Sequence, residues 1–370
     1  MKAAIVQGPG QAPVYGDFTE PEVGPGEVAI TVTAAAISHV TRSRASGAHY
    51  SSSGRFPFVV GLDGVGRCAD GRRVYFVMPH APFGSMAERA MMPSAQCLAL
   101  PDDLDDATAA AIANPGMSSW AAYTERAKLK PGETVLVNGA TGTAGRLAVQ
   151  IAKHLGAKTV IATGRNVQAL AEVAALGADV TIPLVADAAA LEDRFQAQFA
   201  QGVDVVLDYL WGASAEQLLV AGAKAGAEAV PIRFVQIGAM SGQDITLPSA
   251  ALRSSAIALM GSGIGSVPLE RFVHCIGALL QAAVPAGLKI ATKQVPLADV
   301  EQAWRMMTMR HARCSRPAHK SRLSSAAEHR DSDAKGRGPR MSRISALSRD
   351  AHSFTDFDTA HPGSPSRTSR

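Results

Sequence analysis

Residues 134–145 read TVLVNGATGTAG, and residues 159–166 read TVIATGRN. The first stretch is a five-residue apolar strand that runs into glycines at 139, 142 and 145. The following TAGRLAVQIAKHLG then places Leu147, Ile151 and Leu155 on one helical face. A strand, a glycine-rich turn and a helix in that order suggest an anion cradle. Gly139 allows the tight turn, Gly142 lets backbone approach a pyrophosphate, and Gly145 lets the helix pack closely on the sheet. With Thr141 in the same turn, the anion is expected on the amides of Thr143, Ala144 and Gly145, where unpaired N–H groups and the helix dipole favour negative charge. Neither Lys-Thr nor Lys-Ser follows, which disfavours a nucleoside-triphosphate loop. A purely structural glycine turn is the bland alternative, and the crossover units downstream weigh against it.

The second stretch bears on the number of phosphates. A dinucleotide with a free adenosine ribose usually meets an acid at the end of the second strand. Here Gly164 and Arg165 occupy that place. A carboxylate would repel a 2'-phosphate, whereas the Arg165 guanidinium can make a forked, charge-assisted contact with one. The expected cofactor is therefore NADPH. Arg165 as a merely solvated residue at a helix start is the competing reading.

Outward from this unit, strands alternate with helices: NVQALAEVAALG, DVTIPL, DAAALEDRFQAQFA, DVVLDYL, SAEQLLVAGAKAG and RFVQIG. That rhythm predicts a doubly wound parallel sheet, a Rossmann-type α/β unit, over residues 116–270. Residues 1–115 instead show short strands (KAAIV, EVAITVTAAAI, RRVYFVM, QCLAL) separated by turns, which predicts a small, mostly antiparallel barrel-like unit. After a long amphipathic helix over VPLERFVHCIGALLQAAVPAG, KIATKQVPL reads as a strand and DVEQAWRMM as a short helix. Residues 271–309 are thus expected to return to the first unit and leave a ligand cleft between the two.

The formal charge of +4 hides an asymmetry. Residues 310–370 hold 13 Lys and Arg against 6 Asp and Glu, whereas residues 1–309 hold 23 against 26. The tail is rich in Ser, Arg, His and Pro and poor in branched apolar residues, so it is expected to be disordered. It lacks aromatic interleaving and a periodic basic helix, so specific nucleic-acid binding is disfavoured. Four scattered cysteines fit a reducing, cytoplasmic setting better than a disulfide scaffold or a metal knuckle. No apolar stretch reaches membrane-spanning length, and the N-terminus has no signal-peptide run.

Taken in order, MKAAIV, PGEVAITVTAAAIS, FPFVVGLDGVG, GSMAERAMMPSAQCLALPDDL, GMSSWAAYTERAKLKPGETVLVNGATGTAG, DVVLDYLWG and VPLADVEQAW cover residues 1 to about 305. They resemble the medium-chain dehydrogenase/reductase superfamily, in its zinc-independent quinone oxidoreductase and enoyl reductase branch. The resemblance implies a GroES-like catalytic domain formed by the first and last parts, with the nicotinamide in the cleft. It places Asn114 and Ser118 near the nicotinamide or its ribose, and Gly238 at the carboxyl end of the fifth parallel strand. The bland readings are a turn at Asn114-Pro115 and a helix cap at Ser118. Tyr50 resembles a cleft tyrosine that would donate a proton to the substrate oxygen, or else merely lines a pocket. Zinc-dependent relatives carry a cysteine and a histidine where this chain has Ser38 and Leu62, and the adjacent His39 has no partners at ligand spacing.

The implied activity is hydride transfer from NADPH to a small electrophile, a quinone or an α,β-unsaturated carbonyl. The contrasting reading is a catalytically idle NADP(H)-sensing or nucleic-acid-binding protein that acts through its surface or its basic tail. Homodimers are common in the family, and RFVQIG through IALMGSG lies where its sheet extends across subunits. The chain departs from the pattern in two places. Only RCADG separates VGLDGVG from RRVYFV, and after DVEQAW the expected glycine turn and last strand give way to MMTMRHARCSRPAHKS. Either a natural tail or an altered reading frame near 306–312 accounts for the second, and a sheet edge is expected to lose its partner.

Overall fold

A computed structural model describes residues 1–306 apart from Tyr50, Ser51, Ser53, Val185 and Ala186. The expectations for residues 307–370 therefore lie outside the described residues. In the first part, β1 (Lys2–Val6), β2 (Val14–Asp17) and β4 (Phe58–Val59) form a three-stranded antiparallel sheet in the order β2-β1-β4. A five-stranded antiparallel sheet follows the order β7-β3-β5-β6-β8, from β3 (Glu27–Ala35), β5 (Asp63–Cys68), β6 (Arg73–Val77), β7 (Arg89–Pro93) and β8 (Cys97–Ala99). The short RCADG link works because Gly71 takes a left-handed φ of 85° in the turn that joins β5 to β6. Helix α1 (His39–Ala45) starts at Ser38, whose hydroxyl accepts from the Thr41 N–H at 3.2 Å.

Helix α2 (Asp106–Ala121), capped by Asp105, carries the chain out of this part and runs directly into a π-helical stretch, Ala122–Ala127. Residues 115 and 116, where the two domains were expected to join, are consecutive members of α2. The turn at Asn114-Pro115 and the cap at Ser118, the alternatives to a cofactor contact, are not what the structure shows: all three residues lie inside this continuous helix. Pro115 has no N–H to give, yet the helix continues and Ser118 returns its hydroxyl to the Pro115 carbonyl at 2.7 Å.

The parallel sheet has the order β11-β10-β9-β12-β13-β14. Its strands are β9 (Thr134–Asn138), β10 (Thr159–Gly164), β11 (Val180–Pro183), β12 (Val205–Asp208), β13 (Ile232–Gln236) and β14 (Ile257–Gly261). The crossovers are α3 (Thr143–His154), α4 (Val167–Ala174), α5 (Ala188–Ala200), α6 (Gly212–Ala225) and α7 (Ser249–Arg253), and α8 (Leu269–Ala282) follows the last strand. Alternate residues face opposite sides. Val135, Val137, Val160, Ala162, Val205 and Leu207 join one apolar cluster, whereas Leu136, Ile161, Val206 and Phe234 join another with Phe195, Phe199 and Leu218. Burial on both faces is why these strands read as continuous apolar runs.

The return to the first part is made by helical residues 300–306. Val300 and Trp304 pack with Ala4, Val6, Ala45 and Val60, and the Tyr15 N–H donates to Glu301 Oε1 at 3.4 Å. KIATKQVPL, expected as a strand, is not one: residues 289–296 have no sheet pairing, and Ala291 to Pro296 are exposed. An isolated extended run is stable as a strand only when a neighbour takes its backbone hydrogen bonds, and no strand among the described residues lies beside it.

Candidate functional site

The sheet order reverses between β9 and β12. Chain progress runs one way through β9, β10 and β11 and the other way through β12, β13 and β14. In open α/β sheets the connections leave in opposite directions at such a reversal, and ligands bind in the crevice outside the carboxyl ends of the strands there. The turn after β9 follows the carboxyl end of one of the two strands that flank the reversal. Gly139 has a left-handed φ of 89°, and a Cβ on Gly145 would stand 2.4 Å from the Gly139 carbonyl oxygen. Both positions therefore require glycine, one for backbone conformation and the other for close approach of α3. Gly142 caps α3 with no side chain and is exposed, as is Thr143. Among the described residues the N–H groups of Thr143, Ala144 and Gly145 have no acceptor, and the first helical bond is from the Arg146 N–H to the Gly142 carbonyl. Three free donors at a helix N-terminus, with an open approach over Gly142, make a cradle for an anion.

The neighbouring strand ends complete the crevice. Gly164 closes β10, and a Cβ there would meet Thr141 Cγ2 at 2.5 Å. Arg165 follows on the surface, exposed and without an ion pair among the described residues, and Asn166 caps α4 by accepting from the Ala169 N–H at 3.0 Å. Gly238 lies just past β13 with its N–H on the Asp208 carbonyl at 3.2 Å. Ser118, on α2, shares a 3.5 Å hydrogen bond with the Tyr209 hydroxyl, so helix and crevice meet at that pair. Burial pushes the Tyr209 phenol up to about 12. Asn114 is partly buried one turn earlier on the same helix. Thus Gly139, Thr141, Gly142, Thr143, Ala144, Gly145, Gly164, Arg165, Gly238 and Ser118 gather around the ends of the parallel strands, whereas Tyr50 lies outside the described residues.

Sequence reading missed the polar network beneath these glycines. Thr163 Oγ1 donates to Asn138 Oδ1 at 2.6 Å and accepts from the Gly139 N–H at 3.1 Å. Asn138 Nδ2 donates to Asp208 Oδ1 at 2.8 Å and to Ser214 Oγ at 3.0 Å. Asn138, Thr163 and Asp208 are all fully buried. Burial raises the Asp208 carboxyl above the ordinary carboxylate range, against the N–H groups of Leu210 and Trp211 and the Asn138 amide, which lower it. The available signal was a polar residue at the carboxyl end of each of three apolar strands. These side chains tie β9, β10 and β12 together where a ligand must be met by rigid backbone.

In the antiparallel part, Ser38 is a helix cap, His39 is exposed, and Leu62 is buried. A leucine side chain has no donor for a metal. Among the described residues no three His, Cys, Asp or Glu side chains are grouped as a metal would need.

Both folds and their order match known proteins. The quinone oxidoreductase of Thermus thermophilus, whose structure was also determined in complex with NADPH, superposes with a TM-score of 0.70 at 30% identity, over 84% of this chain and 97% of that one. The chain belongs to the medium-chain dehydrogenase/reductase superfamily, in its zinc-independent quinone oxidoreductase branch. The family described as "Zinc-binding dehydrogenase" matches residues 144–281, which run from α3 to α8 and so cover the parallel-sheet part. The Emericella nidulans protein named "Probable NADPH-dependent quinone reductase tdiC" is 28% identical over 336 residues, 79% of this chain and 92% of that protein. A mycocerosic acid synthase-like polyketide synthase of Mycobacterium tuberculosis is 29% identical over 60% of this chain, which spans only 10% of that much longer protein. This medium-chain dehydrogenase/reductase scaffold therefore occurs both as a free-standing chain and as a module.

Proposed function

We propose that this chain is an NADPH-dependent, zinc-independent reductase that delivers hydride to a quinone or an α,β-unsaturated carbonyl. The observation that carries the reading is the glycine turn at the switch point, with three N–H groups free behind an uncovered Gly142. A Cβ on Gly145 or Gly164 would collide with the turn itself, so the cradle is shaped by the chain and does not depend on a ligand to form. The residues present fit the cofactor. Gly139, Thr141, Gly142, Thr143, Ala144 and Gly145 would hold the pyrophosphate, Gly164 and Arg165 the adenosine end with its 2'-phosphate, and Asn114, Ser118 and Gly238 the nicotinamide end. When bound, the dinucleotide supplies the hydride. The protein's share is to orient the nicotinamide face, exclude water from the crevice and deliver a proton to the reduced acceptor. Tyr50 is proposed as that proton donor, with solvent as the alternative source.

Residues 1–115 and 271–309 are assigned to the catalytic part and residues 116–270 to the cofactor part. We further infer a homodimer joined through β14. This strand is the sheet edge, pairs only with β13 among the described residues, and exposes Leu259 to 38%. Edges of this kind invite a second strand. No helix among the described residues is long and apolar enough to cross a membrane, and a cytoplasmic location is part of this proposal.

The deciding experiment is anaerobic oxidation of NADPH and NADH by the purified full chain with 1,4-quinones, acyclic enones, alkenals and simple ketones. Turnover of quinones or enones but not ketones, stronger with NADPH, supports the reading. No turnover by folded protein that binds NADPH refutes it in favour of a sensing role. A dimer mass in solution that falls to monomer in Leu259→Lys tests the assembly.

A further inference from the structure

A cavity of about 330 Å³ opens in the antiparallel part, lined by residues between Pro9 and Phe83. Its walls combine apolar and aromatic side chains with the polar residues Thr41, Ser46 and Ser52. Phe56 and Phe58 stand with ring centroids 5.4 Å apart, and Phe83 closes another side, braced edge-on by Phe18 at 5.9 Å. Leu62, which occupies the position of the metal-binding histidine in zinc-dependent relatives, lines the same space. Among the described residues that line it, one is charged: Arg44, from α1.

Arg44 is unusual among the arginines near it. Arg42 lies over the Trp304 ring at 5.9 Å. The Arg44 guanidinium has neither an ion pair nor a hydrogen bond among the described residues, although the side chain is partly buried. Burial lowers its pKa from the usual arginine value, so its charge has lost hydration that no hydrogen bond or ion pair among the described residues replaces. A desolvated guanidinium without a carboxylate is unfavourable by itself. The hydroxyl of Thr41, also in the wall, is already engaged with Ser38 Oγ at 2.8 Å. The fixed fork of the guanidinium suits two coplanar oxygens.

We propose that this cavity holds the hydride acceptor, and that the acceptor is a small planar conjugated carbonyl compound carrying one carboxylate, which pairs with Arg44. The proposal deepens the reductase reading and rests on it. A single cation balances a monoanion, whereas a phosphate would keep an uncompensated charge among phenylalanines. The cavity volume is at the lower end of the range for small-molecule sites, which favours a compact acid over a long-chain thioester. Reduction would consume one NADPH and one proton per acceptor, adding hydride and proton across the conjugated double bond, with the carboxylate unchanged.

The test separates the anion site from the reductase reading. Benzoate, a planar carboxylate that accepts no hydride, and neutral benzamide would be titrated calorimetrically into the full chain, its Arg44→Lys variant and its Arg44→Gln variant, each checked for a native melting transition. Independently, kcat/KM would be compared for trans-4-oxo-2-pentenoate and its methyl ester. The expected result is benzoate binding about tenfold or more tighter than benzamide, with the same order of preference for acid over ester. Both preferences should shrink in Arg44→Lys and vanish in Arg44→Gln. Equal binding of benzoate and benzamide by the unaltered chain, or an acid preference that survives in Arg44→Gln, overturns the proposal. Arg44-dependent benzoate binding without turnover of any enone or quinone supports the anion site while refuting the reductase reading.

Discussion

The Asp208 carboxylate accepts the Trp211 N–H at 3.2 Å on one oxygen and 3.1 Å on the other, and holds Trp211 at φ 56°, ψ −161°. That backbone region is nearly exclusive to glycine, and a tryptophan remains there only where its surroundings over-determine it. The same carboxylate also takes the Leu210 N–H at 2.9 Å, and Leu210 lies against Gly139, where a Cβ would meet its Cδ2 at 2.9 Å. Asp208 therefore positions the loop that walls the glycine turn. Asp208→Asn should raise the KM for NADPH more than it lowers kcat, and should reduce stability by about 2 kcal/mol as charge-assisted bonds are lost. Adding Trp211→Gly to that variant should recover part of the NADPH affinity, because glycine adopts the conformation unaided. Steady-state kinetics of the single and double variants check this. An unchanged KM in Asp208→Asn contradicts it.

The turn itself makes a sharper expectation. Gly145→Val places a branched side chain where even Cβ would be 2.4 Å from the Gly139 carbonyl oxygen and 2.6 Å from Ala140 Cα. Backbone cannot yield as a flexible side chain can, so α3 must shift away from β9. A destabilisation of about 3 kcal/mol or more is expected, together with loss of NADPH binding. Denaturant melts and fluorescence titration with NADPH measure the two effects.

Arg165 supplies the test of cofactor choice. It is exposed and makes no structural ion pair among the described residues, so Arg165→Ala should leave the melting temperature within a degree or two. The KM for NADPH should rise about tenfold or more while that for NADH changes little, since only NADPH presents a 2'-phosphate. Equal changes for both cofactors would remove the argument.

Asp63 carries a pH dependence of stability. Its side chain is buried, accepts the Tyr75 hydroxyl at 2.7 Å on Oδ2, and leaves Oδ1 without a partner among the described residues. Burial raises its pKa from 3.8 to about 7, with the Tyr75 bond opposing. The folded state therefore holds a proton that the unfolded chain has released between pH 4 and 7, and stability from this group falls as pH rises through that window. Asp63→Asn removes this slope. The stability of the variant relative to the unaltered protein should increase by on the order of 4 kcal/mol from pH 4 to pH 8. Urea midpoints at several pH values, with a constant m-value, measure the difference; parallel curves would show that Asp63 is not the group.

Much of the cofactor part was readable because its information is local. Gly139, Gly142 and Gly145 are spaced by the demands of one strand, one turn and one helix, and apolar period distinguishes strand from helix over a few residues. Asn138, Thr163 and Asp208 were not recognised because they are 25 and 45 residues apart along the chain, and only parallel pairing of β10, β9 and β12 brings them together. The turn weighed as the alternative at Asn114-Pro115 does not form, for a different reason. Local preference at proline favours a break, but packing of α2 against α8, with Leu279 within 2.7 Å of a Cβ on Gly116, keeps the helix continuous.

The amino-acid sequence by itself determined the alternation of strands and helices from β9 to β13, the glycine turn and the absence of an acid at Arg165, whereas the replacement of two metal-ligand positions by Ser38 and Leu62 came from the family resemblance. The first three are properties of residue type and short-range spacing. The tertiary structure alone decided that KIATKQVPL has no strand neighbour among the described residues, that Asp208 restrains Trp211, and that Arg44 lines an aromatic cavity with no ion pair among those residues. Each depends on which distant backbone or side chain comes to lie alongside, and hydrogen-bond satisfaction and desolvation are settled by that neighbour and not by the residue.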